Sequence, residues 1–291
     1  MATLKELKTR IGSVSSTKKI TSAMKMIAAA RLRQAQRAVE ASRPYAKGTR
    51  AIMEQLTENV DGMKNPPLIL SGREDIKTTL VIVVSSERGL CGGFNANLVR
   101  ETRRKISMVK ASGQEAKLLC VGRKAAEALK HDFADIMLDY KIEMHGSHVD
   151  LHTVQHTMTA LVNDFNDGAF DKAYIIYNRF VNAITQEVMD DQLIPVYIPD
   201  PEPDPVPSSV ELEPSEEKFI ADVLPKSLTN KLYNTILESF AAEQAARMTA
   251  MDNASRNAED MVKKLTLQAN RQRQAAITTE LTEIISGAEA V

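Results

Sequence analysis

A chain of 291 residues has room for one or two domains, and 43% hydrophobic with 26% charged residues is the balance of an ordinary globular protein. Two cysteines exclude a disulfide framework, and no apolar run approaches the roughly 18 residues needed to cross a bilayer. The formal net charge of -1 excludes little, because it hides a strong segregation along the chain.

The first predicted element is one very long helix over residues 1–58. Leu4, Leu7, Ile11 and Val14 follow steps of three and four, the seam of a coiled coil. Lys18 is expected to break that seam, and the apolar stripe to restart with Ile20, Met24 and Ile27. Pro44 is placed to kink the helix. Residues 1–50 hold twelve Lys or Arg against Glu6 and Glu40, which makes this arm basic. Such a charge could neutralise nucleic-acid phosphates. The sustained apolar stripe and the lack of aromatics before Tyr45 favour an acidic protein partner instead.

Short apolar runs at 78–85 (TTLVIVVS), 117–121 (KLLCV) and 173–177 (AYIIY) have the length and composition of buried parallel strands. Helical stretches are predicted between them at 95–109, 123–130 and 147–167. That alternation predicts a small doubly wound sheet within residues 75–194. Further short strands are expected near 136–142 and 183–189. Six prolines among residues 195–207, with acids between them, then predict an extended acidic strap over 195–224.

The last element, 225–291, is a second long helix whose stripe runs through Leu228, Leu232, Ile236, Phe240, Met251, Ala258, Met261, Leu265, Leu281 and Ile284. Its middle is crowded with alanine, which lets a partner backbone approach closely. Helices this long cannot bury their stripes inside a small domain. The two ends are therefore expected to wind together as a tight antiparallel left-handed pair.

Candidate sites are few. Residues 88–94 (RGLCGGF) follow a predicted strand and precede a helix, where a phosphate cradle would sit, yet they match neither G-x-G-x-x-G nor a P-loop. A tight turn or a protein contact is the better reading. His145, His148, His152 and His156 are spaced so that three would share a helix face, as zinc ligands can. They have no cysteine partner and no H-E-x-x-H pattern, so a solvated face is expected. Cys91 and Cys120 read as buried small hydrophobes. No catalytic constellation, cofactor site or metal site is identified.

Four motifs in order carry a resemblance. They are 17–31 (TKKITSAMKMIAAAR) with 42–45 (SRPY), 86–95 (SERGLCGGFN), 243–251 (EQAARMTAM) and 277–290 (ITTELTEIISGAEA). Together with the order helix, α/β domain, helix, the chain resembles the gamma subunits of rotary F-type ATP synthases, of bacterial type, over its whole length. The resemblance implies an α/β fold with a long antiparallel coiled coil. The N- and C-terminal helices would pair as a shaft, beside a central Rossmann-like doubly wound domain.

It also implies a non-catalytic rotor subunit with no cofactor, one copy per hexamer of three alpha and three beta subunits. This subunit would couple proton flow through the membrane c-ring to ATP synthesis. Its partners would be alpha, beta and epsilon, with delta in the complex, and neither nucleic acid nor direct membrane insertion is implied. The contacts to alpha and beta would fall on Met24, Lys25, Arg31, Arg33, Arg247, Gln274, Thr278 and Glu280. The foot toward the c-ring and epsilon would include Leu212, Glu213 and Glu216. Leu212-Glu213-Pro214 stands where many members carry Tyr-Glu-Pro, and the chloroplast form's regulatory cysteine insertion is lacking. A helix starting at the first residues leads to the expectation of a bacterial origin, on the cytoplasmic face of the inner membrane.

Overall fold

The computed structural model describes residues 3–58, 66–140, 142, 144–145, 148–196 and 216–289. Two very long helices, α1 (Leu4–Glu58) and α6 (Glu216–Glu289), bracket an α/β region. The chain divides into two compact units. One comprises residues 1–28 and 247–291, the other residues 29–246.

The larger unit is built on a four-stranded sheet. Strands β1 (Thr78–Val84), β2 (Glu115–Val121), β5 (Lys172–Phe180) and β6 (Gln186–Ile194) lie in the order β2-β1-β5-β6. The first three are parallel and β6 joins the edge antiparallel to β5. Buried parallel strands read as unbroken apolar runs because both faces are covered. β1 obeys that rule: Leu80, Val81, Ile82 and Val83 are all at 0% exposure.

On one face, Val81, Val83, Leu118 and Ile176 pack against α3 (Phe94–Ala111) and α4 (Arg123–Phe133), through Leu98, Ile106, Ala125 and Leu129. On the other, Leu80, Ile82, Leu119 and Ile175 meet Val154, Met158, Leu161 and Phe165 of α5 (Leu151–Asn166). Leu224, Leu228, Leu232 and Ile236 of α6 complete that side. A short helix α2 (Leu68–Ser71) and a hairpin of β3 (Met144–His145) with β4 (His148–Val149) complete the elements described in this unit. The expected doubly wound domain is present, with an antiparallel edge strand.

Three local expectations are corrected. The strand expected at 136–142 is replaced by a 3-10 turn (Ala134–Ile136) and one isolated parallel bridge between Leu118 and Met137. The strand expected at 183–189 starts at Gln186, because 182–185 form a turn in which the Asn182 side chain accepts from the amides of Ile184 and Thr185. Asn makes such turns readily, and that outweighs the β-propensity of Val181 and Ile184. The helix expected from 147 starts only at Leu151, where Asp150 caps it by accepting from the amides of His152 and Thr153.

The smaller unit is an antiparallel pair made by the start of α1 and the last part of α6. Lys18 meets Glu259 at 3.1 Å, while Lys25 meets Asp252 at 2.6 Å, so one chain position rises as the other falls. Leu7, Leu265 and Ala269 are buried together, with Leu4, Ile11 and Val14 against them. The seam does not restart after Lys18. It keeps a step of seven through Leu7, Val14, Thr21 and Ala28, while Ile20 and Ile27 are 60% and 54% exposed. The step of seven holds because Thr21 and Ala28 are small enough to let the facing helix approach, so polarity at these positions does not end the contact.

Candidate functional site

The helix pair holds most of the sequence-expected site residues, and its geometry follows from one polar ladder. Between the Lys18–Glu259 and Lys25–Asp252 ion pairs, the Thr21 and Ser255 hydroxyls share a hydrogen bond of 2.6 Å. Thr21 also donates back to the Thr17 carbonyl, which satisfies a hydroxyl in a nearly closed seam. The hydrogen bond from Lys25 is the main reason the Asp252 carboxyl sits below its ordinary range, with Arg256 adding to it. Glu259 is lowered in the same way, by Lys18 first and Lys263 after it. Sequence reasoning took Lys18 as a break; its place four residues after Val14 and three before Thr21 is the signal that could have kept it in the seam.

Around this ladder, Met24 is half-buried and Lys25 is already engaged with Asp252. Arg247 is half-buried in the same unit. Further along α6, Gln274, Thr278 and Glu280 are exposed, and the Thr278 hydroxyl donates to the Gln274 carbonyl one turn back. Ile277, Leu281, Ile284 and Ile285 stand exposed among them, at 49% to 67%. Arg31 and Arg33 belong to the other unit; Arg33 is exposed and lies against the Ala29 carbonyl. Leu212 and Glu213 lie outside the described residues, and Glu216 is the first residue of α6.

The 86–95 loop is filled by its own side chains. Asn95 receives the Ser86 amide at 3.2 Å and reaches Ser86 Oγ and Cys91 Sγ through its side-chain amide. The Ser85 hydroxyl donates to the carbonyl of Val121 and accepts from the Ala125 amide, which ties this loop to the β2–α4 turn. Ligands of doubly wound sheets bind outside the carboxyl ends of the strands. Here that end of β1 is crossed by α6: Ser239 donates to the Val84 carbonyl, and Ala242 packs with Val83 and Phe94. The chain's own helix therefore packs against the carboxyl end of β1.

The histidine row does not share a helix face. His145 and His148 are paired across the β3–β4 hairpin, and only His152 and His156 are on α5. The strands that carry His145 and His148 and the Asp150 cap break the helical spacing. Among the described residues no cluster of His, Cys, Asp or Glu is arranged to hold a metal. Cys91 is buried, and burial pushes the Cys120 thiol up to about 12, so Cys120 is not an activated nucleophile.

The comparisons agree with a chain that holds a helix pair and an α/β unit. The ATP synthase family model matches residues 3–291. The chain belongs to the ATP synthase gamma-chain family. It is 44% identical to the ATP synthase gamma chain of Rhodospirillum rubrum, with all of both chains covered. It is 46% identical to that of Gluconacetobacter diazotrophicus, again over the full length of both. Among solved structures it is similar to a central-stalk chain of the Tetrahymena thermophila mitochondrial ATP synthase. That match has a TM-score of 0.62 and 28% identity, and covers 81% of this chain and 99% of that one. A rotor chain of the Euglena gracilis enzyme shares the fold, with a TM-score of 0.65 at 19% identity, over 94% and 98% of the two chains. The gamma-chain motifs thus lie on the helix pair, on the body stretch of α6 and on the loop that packs against the β2–α4 turn.

Proposed function

We propose that this chain is the central-stalk rotor subunit of a proton-translocating ATP synthase, non-catalytic in itself. It couples the turning of a c-ring to ATP synthesis in a surrounding shell of alpha and beta subunits. The observation that carries this reading is the antiparallel pair of chain ends, closed on its inside by the polar ladder and apolar on its outside at Ile20, Met26 and Ile27, with Leu281 and Ile284 exposed where α6 runs on past the start of α1. Exposed apolar residues along a helix pair call for an enclosing partner. A single asymmetric rod inside a threefold shell presents a different face to each beta subunit. Chemically identical sites then differ in affinity, which is control by differential contact.

In this reading residues 1–58 and 225–291 form the shaft, 75–194 the body, and the proline-rich segment after 195 a strap toward the foot, although the strap expected to stay extended to 224 is already helical from Glu216. Met24, Lys25, Arg31, Arg33, Arg247, Gln274, Thr278 and Glu280 face alpha and beta. Leu212, Glu213 and Glu216 face epsilon and the c-ring. Each charge crossing the membrane yields about 2.3 kcal/mol per 100 mV, so several steps must be stored elastically before one ATP is released. A paired helix of this length is suited to that storage. No described helix is long and apolar enough to cross a membrane. The two full-length relatives at 44% and 46% identity are bacterial, which supports attachment at the cytoplasmic face of the inner membrane.

The test is assembly and coupling. A tagged chain should bring down alpha, beta, delta and epsilon with three copies each of alpha and beta. The isolated chain should not hydrolyse ATP. Met24→Lys should lower ATP-driven proton pumping more than ATP hydrolysis. Equal loss of both would remove the transmission role assigned to the pair.

A further inference from the structure

The grip of the α/β body on α6 combines a wide apolar contact with directional bonds, among them one from Lys231 and one from Ser239. Leu224, Leu228, Leu232 and Ile236 bury the helix against the sheet. Such burial is non-directional, so it opposes lifting the helix off the sheet more than rolling it about its own axis. The Lys231 ammonium donates to the Gln192 carbonyl oxygen of β6 at 2.7 Å. About two turns further along α6, the Ser239 hydroxyl donates to the Val84 carbonyl oxygen of β1 at 3.3 Å. β5 lies between these two strands, so the two bonds straddle the sheet.

The first anchor is set in a site that strains a cation. Burial lowers the Lys231 ammonium from its ordinary range, and neighbouring Asp191 opposes that shift. Asp191 is itself fixed by the Tyr177 hydroxyl at 3.0 Å, which holds β6 to β5 at the point where Lys231 lands. A Leu or Met would serve burial at least as well as an ammonium here. What the ammonium adds is direction.

We infer that Lys231 and Ser239 form a two-point clamp that fixes the rotational phase of α6 against the sheet, so that torque passes between the body and the helix without slip. They are positioning residues, and the inference rests on the rotor reading above. The ammonium stops rolling at the edge strand, and the hydroxyl stops it at the centre. Rolling α6 about its axis breaks both bonds at once.

The experiment uses the whole ATP synthase reconstituted in vesicles, with ATP hydrolysis and ATP-driven proton uptake read in parallel. In a Lys231→Met, Ser239→Ala complex, protons pumped per ATP should fall about fivefold, the low end of typical coupling between sites. Hydrolysis should be retained. Lys231→Arg, with Ser239 intact, should keep the ratio, because a guanidinium donates to the same carbonyl. An assembled double variant with an unchanged ratio overturns the clamp, and so does a Lys231→Arg complex as uncoupled as the double variant. Should the double variant not assemble, Ser239→Ala alone decides: a lowered ratio supports the clamp and an unchanged one overturns it. Failure of the rotor reading looks different, since the wild-type complex itself would then show hydrolysis without proton uptake.

Discussion

The α/β body and the paired helical ends bury apolar side chains in opposite ways. In the body, Leu80, Ile82, Leu118, Phe165 and Ile175 are closed off completely between helices on both faces of the sheet. In the pair, burial runs in single file through Leu7, Thr21 and Ala28 on one helix and Met251, Ala258 and Leu265 on the other. Large side chains such as Met26, Ile27, Leu281 and Ile284 remain outside. The body's core is therefore complete within the chain. The pair is held by a narrow seam and a few polar rungs, and it leaves large apolar side chains on its outer surface. Substitutions should divide accordingly, with large stability effects in the body and coupling effects in the pair.

The sharpest way to break that contrast is at Gly122, where the backbone has φ +91° between β2 and α4. A Cβ there would overlap the Ser85 carbonyl, which is backbone and cannot swing away. Gly122→Ala should cost at least about 3 kcal/mol from strain at a position reserved for glycine, read by urea unfolding of the full chain. Phe165→Ala should be of similar size, at about 3 to 5 kcal/mol. Phe165 is fully buried, tilts against Phe170 at 5.7 Å between ring centres, and lies beneath the Arg73 guanidinium. Hydrogen exchange should localise the loss to the body. A matching loss of protection in the ladder region of residues 18–25 would refute the independence of the two regions.

A smaller effect is expected at Asp171, and it carries a pH signature. Burial raises this carboxyl, but the amides of Thr78 and Lys77 and the Arg73 guanidinium together outweigh it, so it sits below its ordinary range. A depressed folded-state value stabilises the protein fully above the unfolded value of about 3.9. That contribution is lost as pH falls through the still lower folded value. Asp171→Asn should cost about 2 kcal/mol at neutral pH, as expected for hydrogen bonds to a charged group. It should also flatten the acid limb of the body's stability curve. An unchanged acid limb would show that the carboxylate is not the group responsible.

What was legible in the chain follows the same division. β1 could be read directly, because a strand buried on both faces leaves only apolar residues in sequence. β6 was misplaced because an edge strand carries Asp190 and Asp191, whose charges are met by Lys105 at 2.8 Å and by the Tyr177 hydroxyl. Those partners are distant in sequence. The coiled-coil seam was half legible. Its apolar start at Leu4, Leu7, Ile11 and Val14 was plain, but its continuation uses Lys18, Thr21 and Lys25, and hydrophobicity points instead to the outward-facing Ile20 and Ile27. The step of seven was there to be followed, and only the facing helix shows that polar residues occupy it. Lys231 was invisible as an anchor, since its acceptor is a backbone oxygen.

The smallest stability effect and the finest test belong to the ladder itself. Lys25 and Asp252 are partly exposed, and exposed ion pairs contribute little and weaken with salt. Lys25→Met should therefore hardly change the unfolding midpoint. What the rungs supply is register: sliding one helix by a residue removes Lys18–Glu259, Thr21–Ser255 and Lys25–Asp252 together, while the small side chains of the seam resist sliding only weakly. Asp252→Lys sets a like charge against Lys25 and should loosen the pair at that level, seen as faster amide exchange at residues 18–28 in low salt and as a difference that shrinks in high salt. Adding Lys25→Asp to that variant restores opposite charges with the order reversed and should return the exchange rates toward those of the original chain. If the double exchange leaves them fast, the rungs are incidental, and the packing of Ala28, Ala258 and Leu7 alone sets the register.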